Sequence, residues 1–369
     1  MRPEDFRLKF PALQRFTWLD TPGAPPGSQD VTRSMETLAH GWLHGDFCWT
    51  DWDAAADKAR IDFANYIGVH RSMVATVSSL SEAAATVAGS VPAGVVVLAE
   101  DEFRSNLLPW WGTGRSSVRV ARRREGVSRT QSLIEAIDSD VVLVAVSEVL
   151  SNDGERVDLA KVRQACADKN ARLFVNLTQS LGVLNTDLAE LDADYVAVHG
   201  YKWMLCPRGA AWLVVREDRM DEMTPLVPSW KTTGPPVGYF GGPYRQADDM
   251  SRCDAAPAWF SWIGARSALK LLASLGRGQV EQHCLRLAAA FAERADVLGF
   301  RDASLGAPSH IVSVELGNLD PIAVNYALMQ RKIKATVHNG RLRVGFHYFN
   351  SPDDVACVTD LLTDLRSQY

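Results

Sequence analysis

The chain has 369 residues, of which 47% are hydrophobic and 22% are charged, and its formal net charge at pH 7 is -5. This length can form one large hydrophobic core and a smaller lobe. Its longest basic run, Arg122 to Arg124, is too short for a nucleic-acid footprint, so we expect no nucleic-acid partner.

The first two thirds of the chain alternate between helical patterns and apolar runs. Residues 52–67 predict an amphipathic helix, because apolar or small residues recur there at helical spacing. Ser81 is the predicted N-cap of a second helix. Apolar runs rich in β-branched residues follow at 95–98, 141–146, 173–175, 195–198 and 211–215. Continuous apolar strands between helices predict an α/β fold with a mainly parallel sheet covered on both faces.

The last third of the chain has a different pattern. Residues 223–254 mix Pro, Gly and aromatic residues without periodicity, and a stretch this long inside an enzyme is usually a functional loop. A long helical pattern follows at 259–298. The tail then alternates strand and helix at 311–316, 321–331, 342–344 and 352–365. This tail predicts a small α+β domain.

The cysteines and the N-terminus indicate a cellular compartment. The six cysteines are scattered and none forms a CxxC pair, so we expect neither a metal site nor a disulfide framework. Residues 1–6 lack the apolar core of a signal peptide. No run of about 18 apolar residues occurs, so we expect no membrane contact. These features favour a cytoplasmic protein with reduced thiols.

Lys202 is the strongest candidate for chemistry. It stands between the apolar run 195–198 and a turn at 206–209. Burial at such a strand end lowers the pKa of a lysine and makes its amine nucleophilic. A nucleophilic amine is what a Schiff base with an aldehyde cofactor requires. Upstream, Asn176 ends the run 173–175, and Gln179 follows three positions later.

This order of motifs resembles the site of class V aminotransferase-fold enzymes, which bind pyridoxal 5′-phosphate (PLP). The group includes cysteine desulfurases, kynureninases and isopenicillin N epimerase-like proteins. The resemblance runs from about Leu19 to the C-terminus. It implies the fold of type I PLP-dependent transferases, with an N-terminal arm (1–20) packed on a small domain (261–369) and a large PLP-binding domain (21–260). It also implies a homodimer with sites at the interface and a small-molecule amino-acid substrate.

The resemblance also assigns roles around the cofactor ring. Lys202 is implied to be the Schiff-base lysine and the catalytic base. Phe103 takes a position where desulfurase-like members have a histidine that stacks on the ring, and kynureninase-like members also use Phe there. Gln179 would hydrogen-bond the phenolic oxygen, with Asn152 beside it. Arg343 would clamp the substrate carboxylate with its planar guanidinium.

A second group of residues is implied at the cofactor phosphate. Ser81 and Glu82 belong to a turn that opens a helix, and a helix N-terminus binds phosphate. His199 and Tyr201 resemble phosphate contacts beside the lysine. Trp259 stands near the place of a family threonine that reaches the neighbouring subunit's phosphate, and its indole N–H could substitute. An ordinary N-cap at Ser81 and simple packing of the two rings remain alternatives.

Two departures from the family narrow the chemistry. Asn176 replaces an aspartate, and a lost charge pair to a buried group is worth about 1–3 pKa units, at roughly 1.4 kcal/mol each. No cysteine follows Arg343, so sulfur transfer through an enzyme thiol is not expected. A weaker electron sink favours a lyase that cleaves a Cβ–X bond, such as C–S. A class V aminotransferase or epimerase, and a PLP-binding module without turnover, are the alternatives.

Overall fold

The computed structural model describes residues 1–235 and 238–367. Pro236 and Val237, within the predicted loop at 223–254, lie outside the described residues, as do Gln368 and Tyr369. In the described ranges, no helix is both long and apolar enough to cross a membrane.

Helices and strands alternate along most of the chain. Helices α1 to α12 are Pro3–Arg7, Gln29–His44, Trp49–Ile67, Leu80–Ser90, Arg104–Gly112, Arg129–Glu135, Leu159–Asp168, Leu188–Leu191, Trp259–Ala273, Arg277–Val297, Pro321–Gln330 and Pro352–Arg366. Strands β1 to β12 are Thr17–Trp18, Val74–Val77, Val95–Ala99, Ser117–Ala121, Val141–Ser147, Arg172–Asn176, Tyr195–His199, Ala211–Val215, Ile311–Glu315, Ile333–Lys334, Thr336–His338 and Arg341–Gly345.

The main sheet has the strand order β2-β8-β7-β6-β5-β3-β4 within the described residues. Strand β8 is antiparallel to both neighbours, and the pairs from β7 to β4 are parallel. The α/β class with a mostly parallel mixed sheet, predicted from the sequence, is confirmed. The register pairs Asn176 with Ser147 across β6 and β5. The carboxyl ends of the parallel strands therefore bring polar residues to one edge, where open α/β sheets bind ligands.

The apolar character of the strands follows from burial on both faces. In β5, Val144 and Val146 belong to one core cluster, whereas Leu143 and Ala145 belong to a second cluster on the opposite face. Side chains alternate between the two faces of a strand, so a sheet covered on both sides needs apolar residues at consecutive positions.

The C-terminal segment forms a three-stranded antiparallel sheet, β11-β12-β9, over a third core cluster. The first residues of the chain contact this region, because β1 pairs in parallel with β10. Arg7 forms an ion pair with Asp354 at 2.8 Å, and the Phe10 ring lies 4.9 Å from that of Phe349.

Two local features differ from the sequence predictions, whereas the domain boundary at 260 stays a prediction. The helical stretch at 259–298 is broken at 274–276, and Gly276 caps α10. The N-cap of α4 is Ser79, whose Oγ accepts from the Glu82 amide, and Ser81 lies inside the helix. The Ser79 side chain reaches the third helical residue, the geometry an N-cap requires.

Candidate active site

A cavity of about 260 Å³ lies at the carboxyl edge of the main sheet. It brings together residues from the ends of β5, β6 and β7 and from the first turn of α4. The predicted site residues that line it are Ser81, Phe103, Asn176, Gln179, His199, Tyr201 and Lys202. Asn152, Glu82, Trp259 and Arg343 are not among its lining residues.

Lys202 lies three residues beyond β7 and is 5% exposed. Its Nζ is 5.3 Å from the centre of the Phe103 ring and 5.6 Å from that of Tyr201. Burial and, to a smaller extent, the positive charge of Arg343 lower the pKa of Lys202 to about 7, whereas Asp20 acts in the opposite direction. A substantial fraction of this amine is therefore unprotonated near neutral pH.

Asn176 ends β6 with its side-chain amide oriented by two partners. Its Oδ1 accepts from the backbone N–H of Thr178 at 3.0 Å, and its Nδ2 donates to Ser147 Oγ at 2.8 Å. These contacts use the oxygen and one of the two amide hydrogens. The second hydrogen of Nδ2 stays available in a residue that lines the cavity.

Gln179 is held by three hydrogen bonds. Its Oε1 accepts from the indole of Trp203 at 2.7 Å, and its Nε2 donates to Ser151 Oγ at 2.8 Å and to the Pro22 carbonyl at 3.1 Å. Both amide hydrogens are thus engaged, so a contact with a cofactor oxygen requires exchange with one of these partners. Ser151 takes the place beside Gln179 that the sequence interpretation gave to Asn152. The Asn152 side chain points to solvent, because the tight turn exposes it.

His199 and Tyr201 flank the lysine. Burial and, to a smaller extent, the charges of Arg208 and Lys202 lower the pKa of His199 to about 4, so the ring is neutral at pH 7. Among the described residues, His199 Nε2 is buried without a hydrogen-bond partner. The Arg208 guanidinium lies 5.0 Å from the centre of the Tyr201 ring and also lines the cavity. This end of the cavity therefore offers an unpartnered imidazole nitrogen and a positive charge.

The first turn of α4 forms another wall. Leu80 and Ser81 line the cavity, and the first amides of a helix have no partner within it. Glu82 does not reach the cavity, because its carboxylate accepts from the backbone N–H and the hydroxyl of Ser78. The predicted phosphate contact thus reduces to Ser81 and the helix terminus, with Glu82 as part of the local cap.

Arg343 lies behind the cavity, next to Ser151. Its Nη1 donates to the carbonyl and the hydroxyl of Ser151, and its Nη2 donates to Thr336 Oγ1 at 3.2 Å and to Asp20 Oδ1 at 3.4 Å. Its Nε is buried without a partner among the described residues. Its charge lowers the pKa of Lys202, as expected for a cation near the amine.

Trp259 lies apart from the cavity within this chain. Its indole N–H is 3.5 Å from Asp53 Oδ1, and its ring packs edge-on against Trp52 at 5.5 Å. The start of α9 packs against α3, and this contact directs the indole toward that helix.

Sequence reasoning missed several cavity residues. Ser147, Ser151, Thr178 and Arg208 line the cavity but received no functional role. Ser147 could have been predicted, because it is a polar residue at the end of a buried strand, as Asn176 is. Arg208 carried a weaker signal, a cation in the turn after Lys202.

Comparison with known proteins gives one family match. The model described as Aminotransferase class-V matches residues 48–356. An uncharacterized aminotransferase of Bacillus subtilis, YcbU, is 25% identical over 361 residues, which cover 97% of this chain and 96% of that protein. Isopenicillin N epimerase of Amycolatopsis lactamdurans is 25% identical over 343 residues, 83% of this chain and 84% of that protein.

Solved structures share the fold at lower identity. The cystine C–S lyase C-DES, in complex with its reaction product cysteine persulfide, matches with a TM-score of 0.87 at 20% identity, over 96% of this chain and 99% of that chain. A second C-DES structure, with glycine covalently linked to the PLP cofactor, has the same TM-score at 18% identity, over 97% and 99% of the two chains.

Proposed function

Because the chain belongs to the aminotransferase class-V family, we propose that it is a PLP-dependent enzyme acting on an amino acid, and that it cleaves a Cβ–X bond such as C–S. One observation carries the proposal. The amine of Lys202 is buried in the cavity, and its pKa is about 7. A buried lysine with no catalytic use is costly, because burial opposes its charge.

The residues of the cavity fit PLP. Ser81 and the first turn of α4 offer N–H and hydroxyl donors to a phosphate, and the unpartnered Nε2 of His199 lies in the same cavity. The ring of Phe103, whose centre lies 5.3 Å from Lys202 Nζ, would pack against the cofactor ring. Asn176 offers one amide hydrogen to a ring nitrogen. When bound, PLP supplies an aldehyde that attaches an amine and a ring that withdraws electrons from the substrate's α-carbon.

Lys202 and Arg343 have different roles in the proposed reaction: proton transfer and binding of the substrate carboxylate. With a pKa of about 7, Lys202 Nζ can take the proton from Cα and still be regenerated at neutral pH. Arg343 would hold the α-carboxylate by exchanging its Nη1 contacts with Ser151 for the substrate, because all of its Nη hydrogens already have partners, and Asp20 and Thr336 orient the guanidinium. The electron pair left on Cα then forms a double bond to Cβ as the Cβ substituent leaves with its bonding electrons. Lys202 returns the proton to the leaving group, and water converts the released enamine to pyruvate and ammonia.

The neutral side chain of Asn176 favours this elimination over transamination. Asn176 would place no negative charge beside the ring nitrogen, so it would strengthen electron withdrawal by the cofactor less than an aspartate would. Transamination would depend more on that withdrawal than elimination, in which the leaving group takes the electron pair. No thiol lines the cavity among the described residues, and burial raises the pKa of the nearby Cys206 thiol. A persulfide carried on an enzyme cysteine is therefore not part of the proposal.

An aminotransferase or epimerase activity is the second candidate. It is favoured by the relatives YcbU and isopenicillin N epimerase, whose similarity covers 97% and 83% of this chain. Both alternatives use the same Lys202 and Arg343. They differ in product, because neither releases pyruvate from a cysteine S-conjugate.

A test combines cofactor binding with product analysis. Incubation with PLP followed by borohydride reduction should attach the cofactor to the Lys202 peptide, as read by mass spectrometry. Lys202→Ala should lose this adduct, whereas the exposed control Lys161→Ala should retain it. Amino acids and cysteine S-conjugates are then screened for pyruvate and for amino transfer to a 2-oxo acid. An adduct elsewhere, or amino transfer without pyruvate, contradicts the proposal.

We also propose that the chain forms a homodimer. Exposed aromatic side chains support this: Trp42 is 62% exposed and Phe240 is 95% exposed. Trp49 and Tyr239 pack together nearby at 5.5 Å and are also exposed. Burial of such surface against a second copy is favourable by about 25 cal/mol per Å². Light scattering should give twice the chain mass, and a monomer at all concentrations contradicts the dimer.

A further inference from the structure

Three polar side chains form a hydrogen-bonded row along the carboxyl edge of the sheet. Glu102 follows β3, Ser147 ends β5 and Asn176 ends β6, and these strands are neighbours in the order β6-β5-β3. Ser147 Oγ lies 2.7 Å from Glu102 Oε1 and 2.8 Å from Asn176 Nδ2. All three residues are at least 95% buried. The row therefore links a buried carboxyl group to the amide that lines the cavity.

The hydrogen-bond directions along this row are determined by its neighbours. Glu102 accepts from the Ser147 backbone N–H at 2.9 Å, from the Phe103 N–H at 2.7 Å and from the Ser147 hydroxyl. Burial raises the pKa of Glu102, and these three donors oppose that shift. A carboxylate only accepts, so the single hydroxyl hydrogen of Ser147 points to Glu102. Ser147 Oγ then accepts from Asn176 Nδ2.

The amide of Asn176 is held at its other end as well. Its Oδ1 accepts from the Thr178 backbone N–H at 3.0 Å. A flipped amide would place its NH₂ group against that N–H and would take the hydroxyl hydrogen of Ser147 away from Glu102. The only amide hydrogen still uncommitted is the second one on Nδ2.

We propose that Glu102 and Ser147 are positioning residues that hold the Asn176 amide so that it donates an N–H to the ring nitrogen of PLP, which consequently stays unprotonated. This inference rests on the proposed function. An unprotonated ring nitrogen is an acceptor and matches the available N–H. A protonated one would need a nearby negative charge, and the carboxylate of Glu102 is separated from it by both Ser147 and Asn176. Asn176 Oδ1 carries no net charge and already accepts from Thr178.

The test measures the protonation state of the ring nitrogen directly. The protein is loaded with PLP labelled with ¹⁵N in the ring, and the ¹⁵N chemical shift is followed between pH 6 and 9. The wild-type signal should stay in the range of an unprotonated pyridine, and Asn176→Asp should move it to the protonated range. A protonated ring nitrogen in the wild-type protein at pH 7 overturns the inference without any variant.

Two variants test the positioning role. Ser147→Ala and Glu102→Gln should raise the pH at which the ring nitrogen takes up a proton, because an amide with one anchor can turn its oxygen to the ring. Each lost hydrogen bond should weaken PLP binding roughly three- to tenfold. Ser147→Thr retains a hydroxyl, so its ring nitrogen should take up a proton at the same pH as in the wild-type protein. Unchanged titration and affinity in both variants would refute the role.

Matched controls separate positioning from folding. Glu148→Gln changes a buried carboxyl group on the next residue, which instead contacts Arg156 and Thr186. Ser313→Ala removes a buried strand hydroxyl that has no partner among the described residues. Neither control should move the ¹⁵N signal. Failure to bind PLP at all would refute the proposed function, whereas bound PLP with a protonated ring nitrogen refutes only this inference.

Discussion

The indole N–H of Trp203 donates a 2.7 Å hydrogen bond to Oε1 of Gln179, and this bond joins the loop that carries Lys202 to the turn that carries Gln179. The two backbones also meet closely at Gly182. A Cβ there would lie 2.4 Å from the Trp203 carbonyl oxygen, and Gly182 has a φ of +106°. The position of the Lys202 amine therefore depends on the hydrogen bond of Trp203 to Gln179 and on the close backbone approach at Gly182.

Replacing Trp203 with Phe should destabilise the protein by more than the loss of packing. The change leaves Gln179 Oε1 buried without a donor, which costs about 1–3 kcal/mol. Trp212→Phe is a matched control, because Trp212 is equally buried and its indole nitrogen has no partner among the described residues. Urea unfolding of both variants checks the difference. Equal losses would show that the hydrogen bond contributes nothing.

The reactivity of Lys202 should depend on pH with a midpoint near 7. Its pKa is lowered from 10.5, so the unprotonated amine dominates above pH 7 and is lost as the pH falls below it. Arg343→Gln should raise the midpoint, because Arg343 is a positive charge that lowers this pKa. The rate of PLP attachment between pH 5.5 and 9 measures it. Arg341→Gln, at a residue paired with Glu315 instead, should leave the midpoint unchanged.

Acid should destabilise the protein through its buried histidines. Burial lowers the pKa of His310 to about 3 and that of His347 to about 4, whereas an unfolded histidine titrates near 6.5. The unfolded state therefore binds more protons below pH 6.5, and stability falls as the pH drops. Each of the two histidines should lower the free energy of unfolding by roughly 2 kcal/mol between pH 7 and pH 5.

His310→Leu isolates one of these contributions. Neither ring nitrogen of His310 makes a well-formed hydrogen bond among the described residues, and its contact with the Gln179 backbone is weak, so the change removes a titrating group at little hydrogen-bonding cost. Denaturant unfolding at pH 7 and pH 5 should show a pH dependence smaller by roughly 2 kcal/mol. His338→Leu, at an exposed position, should retain the wild-type dependence. The same pH dependence in His310→Leu would contradict the assignment.

Asp254→Asn should be among the most destabilising conservative changes. Asp254 forms a buried ion pair with Arg60 and accepts from the Thr76 backbone N–H at 2.8 Å. Loss of its charge leaves the buried Arg60 guanidinium with only the half-exposed Asp57 carboxylate as a partner, at a cost of up to about 3–5 kcal/mol. Asp364→Asn breaks the exposed pair with Arg331 and should cost at most about 1 kcal/mol. Thermal unfolding compares the two, and similar losses would contradict the prediction.

Most of the fold could be predicted from the sequence because it depends on local sequence patterns. Consecutive apolar residues predict strands buried on both faces, and β5 to β8 follow that pattern. Other elements were missed for physical reasons. Strand β4 is an edge strand with Arg119 at its centre, so it lacks an apolar run. Helix α2 has many exposed positions, and its cap at Ser28 was the available signal.

The chain by itself determined that a lysine, an asparagine and a glutamine stand at strand ends in the order of a known family. Which groups surround them was decided only by the tertiary structure. Glu102, Ser147 and Asn176 are separated by 45 and 29 residues and meet because β3, β5 and β6 are adjacent in the sheet. Hydrogen bonds depend on distance and direction between side chains, and strand order and register, rather than spacing along the chain, determine both.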